Sequence, residues 1–100
     1  MTSNLITPLK HLGNWLARDD DTVYQAATDG FVLMYGEDTN LTGYTDAANP
    51  PITIRALTTA NTAADNYIAF MMAVKKLDYW EAITTTPARL HIIFWIPLEP

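Results

Sequence analysis

The stretch Val74-Lys75-Lys76-Leu77-Asp78-Tyr79-Trp80 constrains this chain more than any other, because a polar cluster there parts two apolar runs. Read one way, the run before it is a helix over 62–76. Thr59 or Asn61 supplies the cap, and Tyr67, Phe70, Met71 and Val74 recur at a spacing of three to four. Read the other way, Ile68, Phe70, Met72 and Val74 share one face at a spacing of two, and the stretch is strand, polar turn, strand. Periodicity admits both readings, and composition leans to the second. Thr fills 14 positions against a single Ser, beside five Tyr, three Trp and three Phe. Such β-branched and aromatic side chains suit a pleated, half-buried surface.

One hundred residues suit a single domain, and 49% hydrophobic residues with 17% charged are enough for a modest core. No apolar run reaches the roughly 20 residues of a membrane-spanning helix, so no membrane insertion is expected. A formal charge of -5 argues against nucleic acid as a partner, since phosphate binding needs clustered Lys and Arg. There is no cysteine, hence no disulfide or thiolate chemistry. Met1 to Ile6 lacks the basic segment and apolar core of a secretory signal.

Nothing in the chain composes a catalytic site. His11 and His91 lie far apart and neither belongs to a metal-spacing motif. Asp19, Asp20, Asp21, Asp38 and Asp46 do not follow the pattern of a calcium-binding loop and read as a solvated acidic surface. Ser3, the one serine, has no motif tying it to either histidine. We expect no enzyme activity, no metal site and no cofactor.

Along the chain, Thr7-Pro8 begins a short helix or an extended stem. Thr22 to Ala27, Thr28-Asp29-Gly30 and Phe31 to Tyr35 read as a β-hairpin, because Asp-Gly accepts the positive φ angles of a tight turn. Gly36 to Pro51, crowded with Asp, Asn, Gly and Pro, reads as a long loop, a feature that compact domains tend to keep for function. Ile52 to Thr58 alternates, with Ile52, Ile54 and Ala56 inward and Thr53, Arg55 and Leu57 outward. The last strand carries Leu90, Ile92, Phe94 and Ile96 on one face and Ile93 and Trp95 on the other, so it is central or lies in a subunit interface.

Two segments carry a resemblance. Thr22-Val23-Tyr24-Gln25-Ala26-Ala27-Thr28-Asp29-Gly30-Phe31-Val32 resembles the opening strand pair of trimeric jelly-roll head domains, in which Tyr-x-Ala precedes Asp-Gly and an apolar strand. Val74 to Trp80 resembles their Val-Lys-Lys-Gly-Asp-Tyr-Trp hairpin, with Leu77 in place of the turn glycine, and Phe94-Trp95-Ile96-Pro97-Leu98 resembles their closing strand. Such heads cap bacteriophage tail fibres and are similar to tumour-necrosis-factor and complement globular heads. The resemblance spans about residues 15–98.

The expected fold is therefore all-β, a small antiparallel β-sandwich of jelly-roll type. Its seven strands fall near 15–18, 22–27, 30–36, 52–58, 67–74, 79–84 and 89–97. Residues 1–12 form a stem or linker and 13–100 the head. The alternative is an α+β domain with helices near 8–18 and 62–76. The resemblance implies a non-enzymatic receptor-binding module at a tail-fibre tip in the virion, made in the host cytoplasm. It would form a homotrimer and touch a host cell-surface glycan or protein. The alternative is a small cytoplasmic protein-binding domain. Tyr44, Asp46 and Asn49 are the candidate receptor contacts, since Tyr44 offers a flat amphipathic ring and the other two can hydrogen-bond a ligand. Ile93 and Trp95 are the candidate oligomer interface.

Overall fold

The structure, a computed structural model, describes residues 10–37, 40–59, 67–85 and 90–100. Among the described residues nine strands follow one another: β1 (His11–Leu12), β2 (Leu16–Arg18), β3 (Tyr24–Gln25), β4 (Gly30–Glu37), β5 (Asn40–Asp46), β6 (Ile54–Thr59), β7 (Tyr67–Val74), β8 (Tyr79–Thr84) and β9 (His91–Glu99). They form two antiparallel sheets packed face to face. One runs β1-β9-β4-β7 with β2 also on β9, the other β3-β8-β5-β6. Strand pairs β2·β9, β3·β8, β4·β7 and β5·β6 nest inside one another, as if one long hairpin had been rolled up. That winding is a jelly roll.

From Tyr67 to Val74 the ambiguous run is strand, and 62–66 lie outside the described residues. Among the described residues there is no helix, and the described parts of 8–18 and 62–76 contain the strands β1, β2 and β7. Alternation wins because Ile68, Phe70, Met72 and Val74 all face the opposite sheet, where Phe70, Met72 and Val74 are buried with Val32, Met34, Leu41, Trp80, Ala82, Ile93 and Trp95. A helical stripe of Tyr67, Phe70, Met71 and Val74 would have left Ile68 and Met72 outside.

The aromatic centre of this core is Trp80, with the Tyr24 ring stacked on one side at 4.8 Å and the Trp95 ring on the other at 5.9 Å. The three rings come from β3, β8 and β9, so they tie the two sheets together.

Three expectations need correction. First, Thr22–Ala27 and Phe31–Tyr35 do not pair as a hairpin: β3 pairs with β8, while β4 pairs with β7 and β9. The Asp29-Gly30 turn carries the chain from one sheet to the other, and so does the turn at Lys75–Asp78. The two crossings brace each other. Leu77 N–H donates to the Ala26 carbonyl (2.7 Å), Ala26 N–H to the Asp78 carbonyl (2.9 Å) and Lys76 N–H to Asp29 Oδ1 (2.8 Å). This bracing holds Leu77 at φ 73°, the left-handed conformation that glycine adopts without strain.

Second, the stretch expected as a long loop contains strand β5, which sits between β8 and β6. Its inward positions are Leu41, Gly43 and Thr45, a set with almost no hydrophobic period to read. Gly43 is there because the sheets approach closely. A Cβ on it would stand 2.8 Å from Met72 Sδ and 2.9 Å from Phe70 Cζ.

Third, β6 begins at Ile54, and Ile52 and Ile54 are exposed rather than inward, at 78% and 51%. Register passes from Gly43 opposite Ala56 to Tyr44 opposite Ile54. Arg55 is thus an extra residue, and such a bulge reverses the faces on either side of it.

Candidate functional site

The outer face of the five-stranded sheet follows from register. Cα partners in an antiparallel ladder share a face, so Phe31, Leu33 and Tyr35 of β4 line up with Ile96, Phe94 and Ile92 of β9 and with Ala73, Met71 and Ala69 of β7. Trp15 meets Phe94 edge to face at 5.5 Å, and Leu12 pairs with Leu98 on the same side. Trp15 is 55% exposed, Met71 57%. In these strand rows Glu37 is the one ionisable carboxylate, at the far end, where it accepts a hydrogen bond from the Tyr67 hydroxyl at 3.2 Å.

Such a face is unusual. Scattered apolar side chains are normal on a surface, whereas here a row of half-buried ones, Phe31, Leu33, Tyr35, Ile92 and Phe94, lies beside exposed Met71 and Trp15, with Ile96 itself buried.

The opposite face, on the four-stranded sheet, differs in kind. Asn40, Thr42, Tyr44 and Asp46 alternate outward on β5, beside Tyr79, Glu81 and Ile83 of β8 and Ile54, Leu57 and Thr59 of β6. Polar, acidic and aromatic side chains mix here. The Glu81 carboxyl is raised above its ordinary range by burial first, then by the hydrogen bond that the protonated acid donates to the neighbouring Asp21 carboxylate, and by the charge of Asp21.

The sequence candidates fall in different places. Tyr44 and Asp46 stand two residues apart on this mixed face, half-buried, and Asn49 is exposed in the connection from β5 to β6, next to a cis Asn49–Pro50 peptide. Asp46 organises that connection. Its Oδ1 accepts the Ala48 N–H at 2.8 Å and its Oδ2 the Ile52 and Thr53 N–H groups at 2.9 Å. The Ile52 bond is the largest effect, opposed by partial desolvation and reinforced by Thr53 and Ala48, and the carboxyl is lowered from 3.8 to about 2.

Ile93 and Trp95 are 2% and 7% exposed in the single chain and belong to the core between the sheets. The free face of β9 is that of Ile92 and Phe94. A charge at Trp95 would therefore act on folding before it could act on assembly. The sequence shows that β9 is apolar on both sides, but not which side the second sheet covers.

Asp46 provides a prediction. Because folding holds its proton more weakly than the unfolded chain does, its contribution to stability is complete above about pH 4 and disappears as pH falls through 4 towards 2. Melting temperatures of the protein and of Asp46→Asn should thus differ at pH 6 and converge near pH 2. A constant gap across that range would show that Asp46 is not the acid-sensitive cap.

Sequence reasoning missed a concavity of about 770 Å³, lined by Arg55 and Thr45 of the four-stranded sheet and by Met71, Met72, Ala73, Val74 and Lys75 beside and on β7. The signal is faint, since nothing in the sequence shows that Arg55 sits in a bulge. Among the described residues no three His, Asp or Glu side chains come together to hold a metal ion. No protein-family model matches the chain, and the comparisons with curated proteins and with solved structures found no match.

Proposed function

We propose that the chain is a non-enzymatic head module that assembles as a homotrimer through the outer face of its five-stranded sheet and presents the mixed face and the 47–53 connection to a host surface. The observation that carries the assembly is the row of Leu33, Phe94, Ile92 and Met71, an apolar surface broken only at its end by Glu37. Four strands at ~4.8 Å and eight residues at ~3.3 Å give this face a footprint of roughly 500 Å². In a trimer that area is divided between two neighbours, so each pairwise contact must also draw on surface beside the patch to reach the ~1,000 Å² of a specific interface.

The remainder of the reading, a receptor-binding tip of a phage tail fibre in the virion, rests on the resemblance of Thr22–Val32, Val74–Trp80 and Phe94–Leu98. On this reading Tyr44 and Asn49 touch a cell-surface glycan or protein, while Asp46 holds the connection in shape. Tyr44 supplies a flat ring and Asn49 an exposed amide.

Light scattering at micromolar concentration tests the assembly directly, with three times the 11.2 kDa chain mass expected. A monomer mass would refute it. For recognition, Tyr44→Ala with Asn49→Ala should leave mass and melting nearly unchanged but lower binding to host cells at least tenfold. Undiminished binding would move the receptor site elsewhere on the head.

A further inference from the structure

Strand β7 ends its sheet, and two hydrogen bonds reveal which of its backbone groups face the open side. Glu37 N–H donates to the Leu90 carbonyl at 2.8 Å, and Leu98 N–H to the Asp29 carbonyl at 2.8 Å. Odd-numbered residues of β4 thus turn their backbone groups to β9 and even-numbered ones to β7. In an antiparallel ladder alternate residues exchange bonds, so Ile68, Phe70 and Met72 bond to β4 while Tyr67, Ala69, Met71 and Ala73 face away. The Thr58 hydroxyl on β6, which donates to the Ala69 carbonyl at 2.9 Å, independently gives the same sense.

At Ala69 the two edge strands are linked by this bond. Towards Met71 and Ala73 lies the 770 Å³ groove. The backbone groups of Met71 and Ala73 have no protein partner on that side among the described residues.

Across the groove stands Arg55, re-aimed by the bulge. Its Nε makes one long bond, 3.4 Å, to the Thr45 carbonyl, and no carboxylate among the described residues pairs with its guanidinium. Two acids on the rim are already engaged with backbone N–H groups, Asp29 with Lys76 and Asp46 with Ala48, Ile52 and Thr53. Lys75 adds a second cation and Asp78 an acid at the turn end.

We infer that this groove takes an extended polypeptide strand of another protein, paired with the backbone of Met71 and Ala73 and bearing a carboxylate side chain opposite Arg55. An open strand edge supplies affinity to any extended chain, and the flanking charge supplies selectivity. The strand would pair with the edge backbone, and because Phe31, Met71 and Leu98 line the groove as well as the outer face, it would share that margin with the trimer proposed above.

The test uses the whole chain and a fluorescein-labelled heptapeptide, Thr-Val-Thr-Glu-Thr-Val-Thr, beside its Lys-for-Glu counterpart. At saturating Glu peptide, amide hydrogen exchange at Met71 and Ala73 should slow at least tenfold, while Phe70 and Met72, already bonded, change little. Arg55→Glu, on an exposed bulge, should keep the melting temperature, weaken the Glu peptide at least tenfold and reverse the preference towards the Lys peptide. Three results would overturn the inference: unchanged exchange at Met71 and Ala73, equal binding by Arg55→Glu, or protection of both amides in the peptide-free protein that grows with its concentration. The last would mean that a second copy of the chain occupies the edge.

Discussion

Trp80→Ala should lower the free energy of unfolding by about 3–5 kcal/mol, the range for truncating a large buried aromatic. Trp80 is 1% exposed and lies between two rings, Tyr24 and Trp95, so its loss leaves a cavity walled from both sheets. Neither ring can fill the space by rotation without giving up its own packing, because Tyr24 is fixed by the Asp19 N–H bond to its hydroxyl at 2.9 Å and Trp95 is pinned within β9. Against a total stability of about 5–15 kcal/mol for a domain of ordinary size, this change removes a large share. Urea unfolding followed by far-UV circular dichroism measures it. A loss below about 1 kcal/mol would show that the three-ring stack does not join the sheets.

Leu33→Glu should dissociate the proposed trimer. Leu33 sits on β4 with Phe94 on one side and Met71 on the other, near the middle of the apolar face. In the single chain its side chain is half-buried on the outer face, so a carboxylate there keeps access to water and disturbs folding little. In an assembly that covers the face, the same carboxylate is desolvated without a partner. An uncompensated buried charge costs about 3–5 kcal/mol per site, so association should weaken more than a hundredfold per contact. Sedimentation across a dilution series reads the effect, with circular dichroism as the check on fold. If Leu33→Glu assembles like the parent chain, the interface is not this face.

The contrast with Trp95 shows where sequence reasoning stopped. Phe94 and Trp95 are neighbours in one strand, both large and both aromatic. Alternation puts them on opposite faces but does not label either face as inner. The label comes from the second sheet, whose Trp80 stacks on Trp95. The same holds for Asp29-Gly30, where local chemistry marks a reversal of the chain and leaves open whether the next strand pairs with the last one or crosses to the other sheet.

What the sequence by itself determined is the set of local choices that short-range physics settles. The β-branched and aromatic composition leaned to strand where periodicity admitted two readings, and the expected strands at 67–74 and 79–84 are where β7 and β8 are observed. The expected class, a small antiparallel β-sandwich, is the one observed, but the expected pairing of 22–27 with 31–35 is not. Tertiary structure alone decided the rest. It made a strand of Asn40–Asp46, whose inward Gly43 and Thr45 carry no apolar signal, because neighbours on both sides bond its backbone and the core side chains need the room that glycine leaves. It turned Arg55 out of the β6 ladder, left Met71 and Ala73 on an open edge and buried Ile93 and Trp95 rather than Ile92 and Phe94. Each of these depends on contacts between residues distant in the chain, and a local pattern carries no record of which distant face it will meet.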